Sequence, residues 1–167
     1  MSLTKREIIH NWFVDHNVNI NDLVDLVVDN QHPYIDNLKW EEAKTSVLHV
    51  MNKREFQHAM ITAIFLDNIA DTVGYPQLLE NPLLTILIED APDYGIDEQL
   101  ALSVAGLYGS ISVSNFGMLD KQKPGIIGVL NEQGKTRENV TTMMDDMICA
   151  IVSSAAARLA HQHQEEH

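Results

Sequence analysis

Apolar residues recur along this chain at the three- and four-residue spacing of amphipathic helices, and the strict alternation of a strand is scarce. Thr4 with Glu7 has the spacing of a capping box and opens a first helix running toward Asp15. Asn19 or Asn21 caps a second, with Leu23, Val24, Val27 and Val28 on one face. His32-Pro33 interrupts the pattern, and Asn37 is placed to cap a third helix over 38–52. A fourth spans 53–73 with Phe56, Met60, Ile64 and Ile69 turned inward, closed by Gly74-Tyr75-Pro76. Asn81-Pro82 starts a short fifth helix, with proline at its first position. Pro92 and Gly95 make 91–95 a loop.

From Asp97 onward the pattern shifts to small residues: Ala101, Ala105, Gly106, Gly109, Ser110 and Ser112, then Ala150, Ser153, Ser154, Ala156 and Ala157. Small side chains let helix axes approach closely, which places these segments at the centre of a bundle. The pattern predicts an all-α fold, one multi-helix bundle over residues 1–167 with a polar, frayed tail at 161–167. Residues 99–119 carry no charge, but their serines, Asn115 and glycines read as buried core rather than as a membrane span.

Composition narrows the functional classes. The 167 residues have a formal net charge of -13, which repels nucleic acid and anionic lipid at long range. A phosphorylated substrate would need local neutralisation by a metal or a few placed cations. Cys149 is the only cysteine, so no intramolecular disulfide forms; with no signal segment at the N-terminus, the expected location is the cytoplasm. The chain carries no phosphate-binding glycine loop, no His-Asp dipeptide and no Glu-x-x-Glu.

Three acidic clusters remain. Asp145-Asp146 are adjacent carboxylates that disfavour each other's ionisation, a cost that a hard divalent cation removes. Upstream lie Asp90 with Asp97-Glu98, then Asp120 ahead of Lys123-Pro124. Taken singly, each has an ordinary explanation. Asp97-Glu98 suits a helix N-terminus, worth about 0.3–1 kcal/mol. Thr142 to Asp145 fits a capping box, and the lysines suit a helix C-terminus. Asp67 and Asp71, one turn apart, read as a solvated stripe, and Cys149 as a buried structural thiol. Together the clusters point to a carboxylate-built metal site that works on phosphate.

In order and spacing, the clusters resemble the phosphatidylglycerophosphatase A family: an Asp ahead of an Asp-Glu pair, then Asp-x-x-Lys-Pro, then Asp-Asp opening a small-residue helix. Here Asp90 precedes Asp97-Glu98, Asp120-Lys121-Gln122-Lys123-Pro124 supplies the middle motif, and Asp145-Asp146 the last. The likeness covers roughly residues 90–157. The chain departs from the family in lacking its N-terminal Gly- and Pro-rich motif, the Gly-Gly before Asp-Asp, and convincing membrane spans. It looks like a soluble branch.

The resemblance implies Mg²⁺-dependent hydrolysis of a phosphomonoester, with Mn²⁺ as the alternative ion. Asp97, Glu98, Asp145 and Asp146 would hold metal, and Asp90 and Asp120 would be further ligands or the base. Lys123, at the rim, would neutralise phosphate. The substrate would be a lipid headgroup of the phosphatidylglycerophosphate kind or a soluble phosphate ester, with no nucleic acid and no integral membrane insertion. The rival is a non-catalytic helical assembly protein. The chain is expected to form a homo-oligomer, a dimer, since a soluble descendant must cover the faces that membrane relatives give to lipid or make them polar. A shared site also requires the chain to reverse between Asp97 and Asp120, which one straight helix would set about 35 Å apart. Gly106, Gly109 and Ser110 are poor helix-interior residues, so the break is expected around 108–112.

Overall fold

The structure is a computed structural model that describes residues 2–72, 80–136 and 139–165. Among these residues every regular element is helical. The helices are α1 (Lys5–Asp15), α2 (Ile20–Gln31), α3 (Trp40–Asn52), α4 (Arg54–Thr72), α5 (Pro82–Glu89), α6 (Ile96–Ala105), α7 (Gly109–Gln122), α8 (Ile126–Thr136) and α9 (Met144–Glu165), with a 3₁₀ turn at Gly106–Tyr108.

Local signals explain most of the boundaries. Thr4 and Glu7 form the reciprocal capping box. The Asn19 side chain accepts from the Asn21 N–H, and the Asn81 side chain from the Leu83 N–H ahead of Pro82. Asn37 does not cap α3: it takes a left-handed conformation (φ 57°), a role Asn tolerates in turns, and the helix begins at Trp40. On α4, Phe56, Met60 and Ile64 face inward as expected, whereas Ile69 is exposed. The expected stop at Gly74-Tyr75-Pro76 lies outside the described residues. Helix α9 continues into the tail as far as Glu165.

Helix α9 is the axis of the molecule, packing on α2, α3, α4, α6, α7 and α8. Every residue from 140 to 157 is buried. A helix surrounded on all sides must be apolar or small all round, and this one supplies Met147, Ile148, Cys149, Ala150, Ile151 and Val152 followed by Ser153, Ser154 and three alanines. Its serines meet neighbours closely: Ser46 Oγ on α3 donates to the Ala155 carbonyl at 2.8 Å, and Ser112 Oγ on α7 lies 3.4 Å from both Ser153 and Ser154 Oγ.

The chain reverses between α6 and α7. Gly106–Tyr108 forms a 3₁₀ turn, and Gly109 sits at φ 82°, a conformation that L side chains avoid. The break falls at Gly106–Gly109, two residues ahead of the expected 108–112. The contacts along α9 give the directions. Tyr108 lies by His161, Ser112 by Ser153 and Ser154, and Lys123 by Asp145, so α7 runs antiparallel to α9 and returns to its start.

One sequence expectation is corrected here. The uncharged segment 99–119 is not wholly core, because the hairpin lays only one face of each helix on α9 and leaves Leu107, Val113 and Met118 exposed. The stretch Ile96–Gln122 is long and apolar enough for a span by length and composition, with a mean hydropathy of 1.2, and 28% of that window is buried. The reversal divides it into helices of 10 and 14 residues, each shorter than the ~20 that a crossing needs.

Candidate active site

Four chain segments end at one place. Helix α5 stops at Asp90, which adopts φ 48° and turns the chain into the 91–95 loop. Gly95, at φ 62°, then starts α6, whose first turn carries Asp97 and Glu98. Helix α7 ends with Asp120 and with Lys123, itself left-handed at φ 46°, before Pro124 forbids continuation. Helix α9 opens with Asp145 and Asp146 in its first turn. Together with Asn131 of α8, these seven charged residues line a cavity of about 280 Å³. All the positions singled out in the sequence therefore meet: Asp90, Asp97, Glu98, Asp120, Lys123, Asp145 and Asp146.

The local electrostatics follow from helix ends. Two N-termini, those of α6 and α9, face the cavity and favour negative charge, while the C-terminus of α7 favours the Lys123 ammonium. The two acidic turns use the same device. Asp97 Oδ1 accepts from the Glu98 N–H at 2.9 Å, and Asp145 Oδ1 accepts from the Asp146 N–H at 2.9 Å.

Lys123 is not at the rim but among the acids. Its Nζ donates to Asp120 Oδ1 at 2.6 Å and to Asp145 Oδ2 at 2.8 Å, and stands 3.6 Å from Asp146 Oδ1. Its left-handed backbone costs about 1–2 kcal/mol for a residue with a Cβ, yet it folds the side chain back over the last turn of α7. Gly128 makes room for this: a Cβ there would lie 2.4 Å from the Lys123 carbonyl oxygen.

One cation does not balance this many carboxylates. Burial pushes the Asp146 carboxyl up to about 9, and Asp145 adds to the shift. Asp145 is raised to about 6 by burial, held down by Lys123. Asp97 is also raised, by burial and then by the charges of Asp90 and Asp120. For Lys123, burial works against the ammonium, but Asp145 and Asp120 outweigh it and hold its pKa above the ordinary value. The cluster is thus a set of hard oxygen donors short of positive charge, which is the chemistry that fits a divalent cation of the Mg²⁺ or Mn²⁺ type.

Cys149 lies one turn below Asp146. Oxygens of Asp120 and Asp146 and the Cys149 sulfur all lie within 4.8 Å of one another. Burial and then the charges of Asp146 and Asp145 push the Cys149 thiol well up, which disfavours the thiolate.

Asp71 is exposed, as a solvated stripe requires, but Asp67 is not. Asp67 is fully buried and accepts from the Met143 N–H at 3.1 and 3.2 Å, and Asp71 Oδ1 accepts from the Val140 N–H at 2.7 Å. The expected capping box at Thr142 is absent, because the Thr142 hydroxyl donates instead to the Leu87 carbonyl. Asn131 was also missed: one amide among the polar residues of α8 carries no local signal that sets it apart.

Known proteins bear on the same elements. The family model described as phosphatidylglycerophosphatase A matches residues 20–161. Two Bacillus subtilis (strain 168) proteins described as uncharacterized, YpjQ and YutG, are each 39% identical over 148 residues. These cover 89% of this chain and 80% and 86% of theirs. The low temperature requirement C protein from Listeria monocytogenes superposes with a TM-score of 0.86 at 37% identity, covering 98% of this chain and 99% of that one. The crystal structure of B. subtilis YpjQ gives 0.83 at 36% identity, over 99% and 100%. With the motif residues gathered in one cavity and the match running from α2 into α9, this chain belongs to the phosphatidylglycerophosphatase A family.

Proposed function

We propose that the cavity is the active site of a Mg²⁺-dependent phosphatase acting on a phosphomonoester of the phosphatidylglycerophosphate type. The observation that carries this reading is the convergence of Asp90, Asp97, Glu98, Asp120, Asp145 and Asp146 around a single lysine in one small cavity. A structural salt-bridge cluster would balance its charges. Here burial, and then the charge of Asp145, push the Asp146 carboxyl up to about 9, and Lys123 offsets only part of that.

Asp97, Glu98, Asp145 and Asp146 would hold Mg²⁺, or Mn²⁺ in its place, with Asp120 beside Asp146 as a further donor. The ion would supply Lewis-acid polarisation of the phosphoryl oxygen and acidify a water. The chain's own residues do the rest. Lys123 exchanges part of its pairing with Asp120 and Asp145 for a phosphate oxygen, as a point charge. Asp90, on the loop side, and Asp120 are the carboxylates placed to take the proton of an attacking water. The α6 and α9 N-termini add partial positive charge where the phosphate's negative charge collects. A cavity of about 280 Å³ admits a phosphorylated glycerol end rather than acyl chains, so a lipid substrate would offer only its headgroup.

The test is phosphate release from phosphatidylglycerophosphate in mixed micelles and from soluble esters such as glycerol 3-phosphate, each with Mg²⁺, Mn²⁺ or chelator. Metal-dependent release, lost in Asp145→Asn, is expected. Release from the soluble esters alone would restrict the reading to a soluble substrate. No release from any of them with either ion would refute it.

A second, compatible reading concerns assembly. Leu107, Val113 and Met118 are exposed on a hairpin that carries no charge from residue 99 to 119, on a chain of net charge -13. This is where two copies could meet with little like-charge repulsion, and we propose a homodimer through it. Sedimentation showing a monomer at micromolar concentration would refute that.

A further inference from the structure

Asp67 lies on α4, far in sequence from every acidic motif, and its side chain is wholly out of solvent. Among the described residues no Lys, Arg or His forms an ion pair with it. A buried carboxylate without a counter-charge is expensive unless N–H donors satisfy it. Burial does push the Asp67 carboxyl well up, and the N–H groups of Met143 and Met144 oppose that shift. Both Asp67 oxygens lie within 3.2 Å of the Met143 nitrogen. Asp67 therefore takes the place of an N-cap side chain for α9, from another helix, 76 residues away.

The position matters because Met143 precedes Asp145 by two residues. The first turn of α9 determines where both of its carboxylates point. Within that turn Asp145 Oδ1 takes the Asp146 N–H, the Thr142 hydroxyl donates to Leu87, and the Met143 N–H goes to Asp67. We infer that Asp67 is a positioning residue for the acidic site: it fixes the first turn of α9 so that Asp145 and Asp146 converge with Asp120 and Lys123. The inference rests on the reading of the cavity as a divalent-cation site, and its consequence for metal binding inherits that reading. The anchoring itself does not.

Two measurements separate these. The first is hydrogen exchange on the metal-free protein, comparing Asp67→Ala with wild type. Faster exchange confined to the amides of residues 143–146, with those of 155–157 unchanged, is the expected result. Equal acceleration along all of α9, which a merely structural role would give, would overturn the inference. The second is Mg²⁺ titration followed by calorimetry. Partners that orient metal ligands typically contribute about 10–100-fold in affinity. Asp67→Ala should lose that much, Asp67→Asn, which keeps an acceptor for the Met143 N–H, should recover most of it, and Asp71→Ala should match wild type. Should Asp67→Ala fail to fold, Asp67→Asn against Asp71→Ala carries both measurements, with a smaller change in the same direction expected. Wild-type Mg²⁺ affinity in folded Asp67→Ala, or Asp67→Asn binding as weakly as Asp67→Ala, overturns positioning. No Mg²⁺ binding by the wild type, with exchange still localised, would instead sink the cation-site reading and leave the anchoring intact.

Discussion

Asp146→Asn should make the metal-free protein more stable at neutral pH while removing a ligand that the proposed chemistry needs. In the folded chain the Asp146 carboxyl is raised from 3.8 to about 9, with burial as the largest cause and Asp145 next. Its side chain makes no hydrogen bond that offsets this, only the 3.6 Å approach to Lys123. A group raised on folding contributes fully below its unfolded pKa, and that contribution is lost as pH climbs toward the folded value. At pH 7 the lag spans about 3 pH units at about 1.4 kcal/mol each, a ceiling of about 4 kcal/mol. Asparagine escapes that penalty but buries an amide in its place, at about 1–2 kcal/mol. The net expectation is a variant less stable than wild type by about 1 kcal/mol at pH 4, equal near pH 5, more stable by about 2–3 kcal/mol at pH 7, and by a still wider margin at pH 8. Urea unfolding in chelator across pH 4–8, at constant ionic strength, reads this for the Asp145–Asp146 pair, because titrating groups away from the pair cancel between the two proteins. Adding Mg²⁺ at pH 8 should then stabilise wild type by about 3 kcal/mol at a hundredfold excess over Kd, and leave the variant unchanged. If the stability difference is flat with pH, the carboxyl is not raised and the charge-deficit argument fails.

Other outcomes follow from the same geometry. Lys123→Met leaves Asp120 and Asp145 without their ammonium; phosphate release should fall about 10²–10³-fold, and turnover within tenfold of wild type would remove Lys123 from the chemistry. Gly128→Ala puts a Cβ 2.4 Å from the Lys123 carbonyl, so it should cost about 1–3 kcal/mol and weaken Mg²⁺ binding, checked by thermal melting and titration. Cys149→Ala should retain Mg²⁺-dependent activity within a few-fold, measured by phosphate release, since a thiol held protonated contributes no ligand charge; its loss would assign the sulfur a role at the metal.

The sequence carried the site more fully than it carried the frame that holds it. Carboxylates and a lysine at fixed spacing are local signals, and Gly106 with Gly109 marked the reversal that joins them. The break was placed slightly late, because the 3₁₀ turn extends the interruption toward α6. Asp67 was misread because one-turn spacing on a helix says which residues share a face, not which face is covered. What covers it is the lead-in to α9, some 70 residues downstream. Lys123 was placed at a rim because its direction depends on a left-handed backbone that only Pro124 and the space over Gly128 foreshadow. Asn37 failed as a cap for the same kind of reason: the turn preceding α3 claimed its backbone first.

The lead-in to α9 is tied to four separate helix positions. The Val140 N–H bonds Asp71, the Thr141 hydroxyl bonds the Leu130 carbonyl, the Thr142 hydroxyl bonds the Leu87 carbonyl, and the Met143 N–H bonds Asp67. All of those partners precede it in the chain, and so do the helices whose inner faces α9 covers. On a ribosome the surrounding helices are therefore made before the helix they surround. Until α9 emerges, the faces that it covers stay open even though those helices already pack on one another, and open apolar faces expose a nascent chain to aggregation. When α9 does arrive, it brings the central strip of the core, the four ties and two of the acidic residues at once. The centre of the fold and part of the site therefore enter on the same helix.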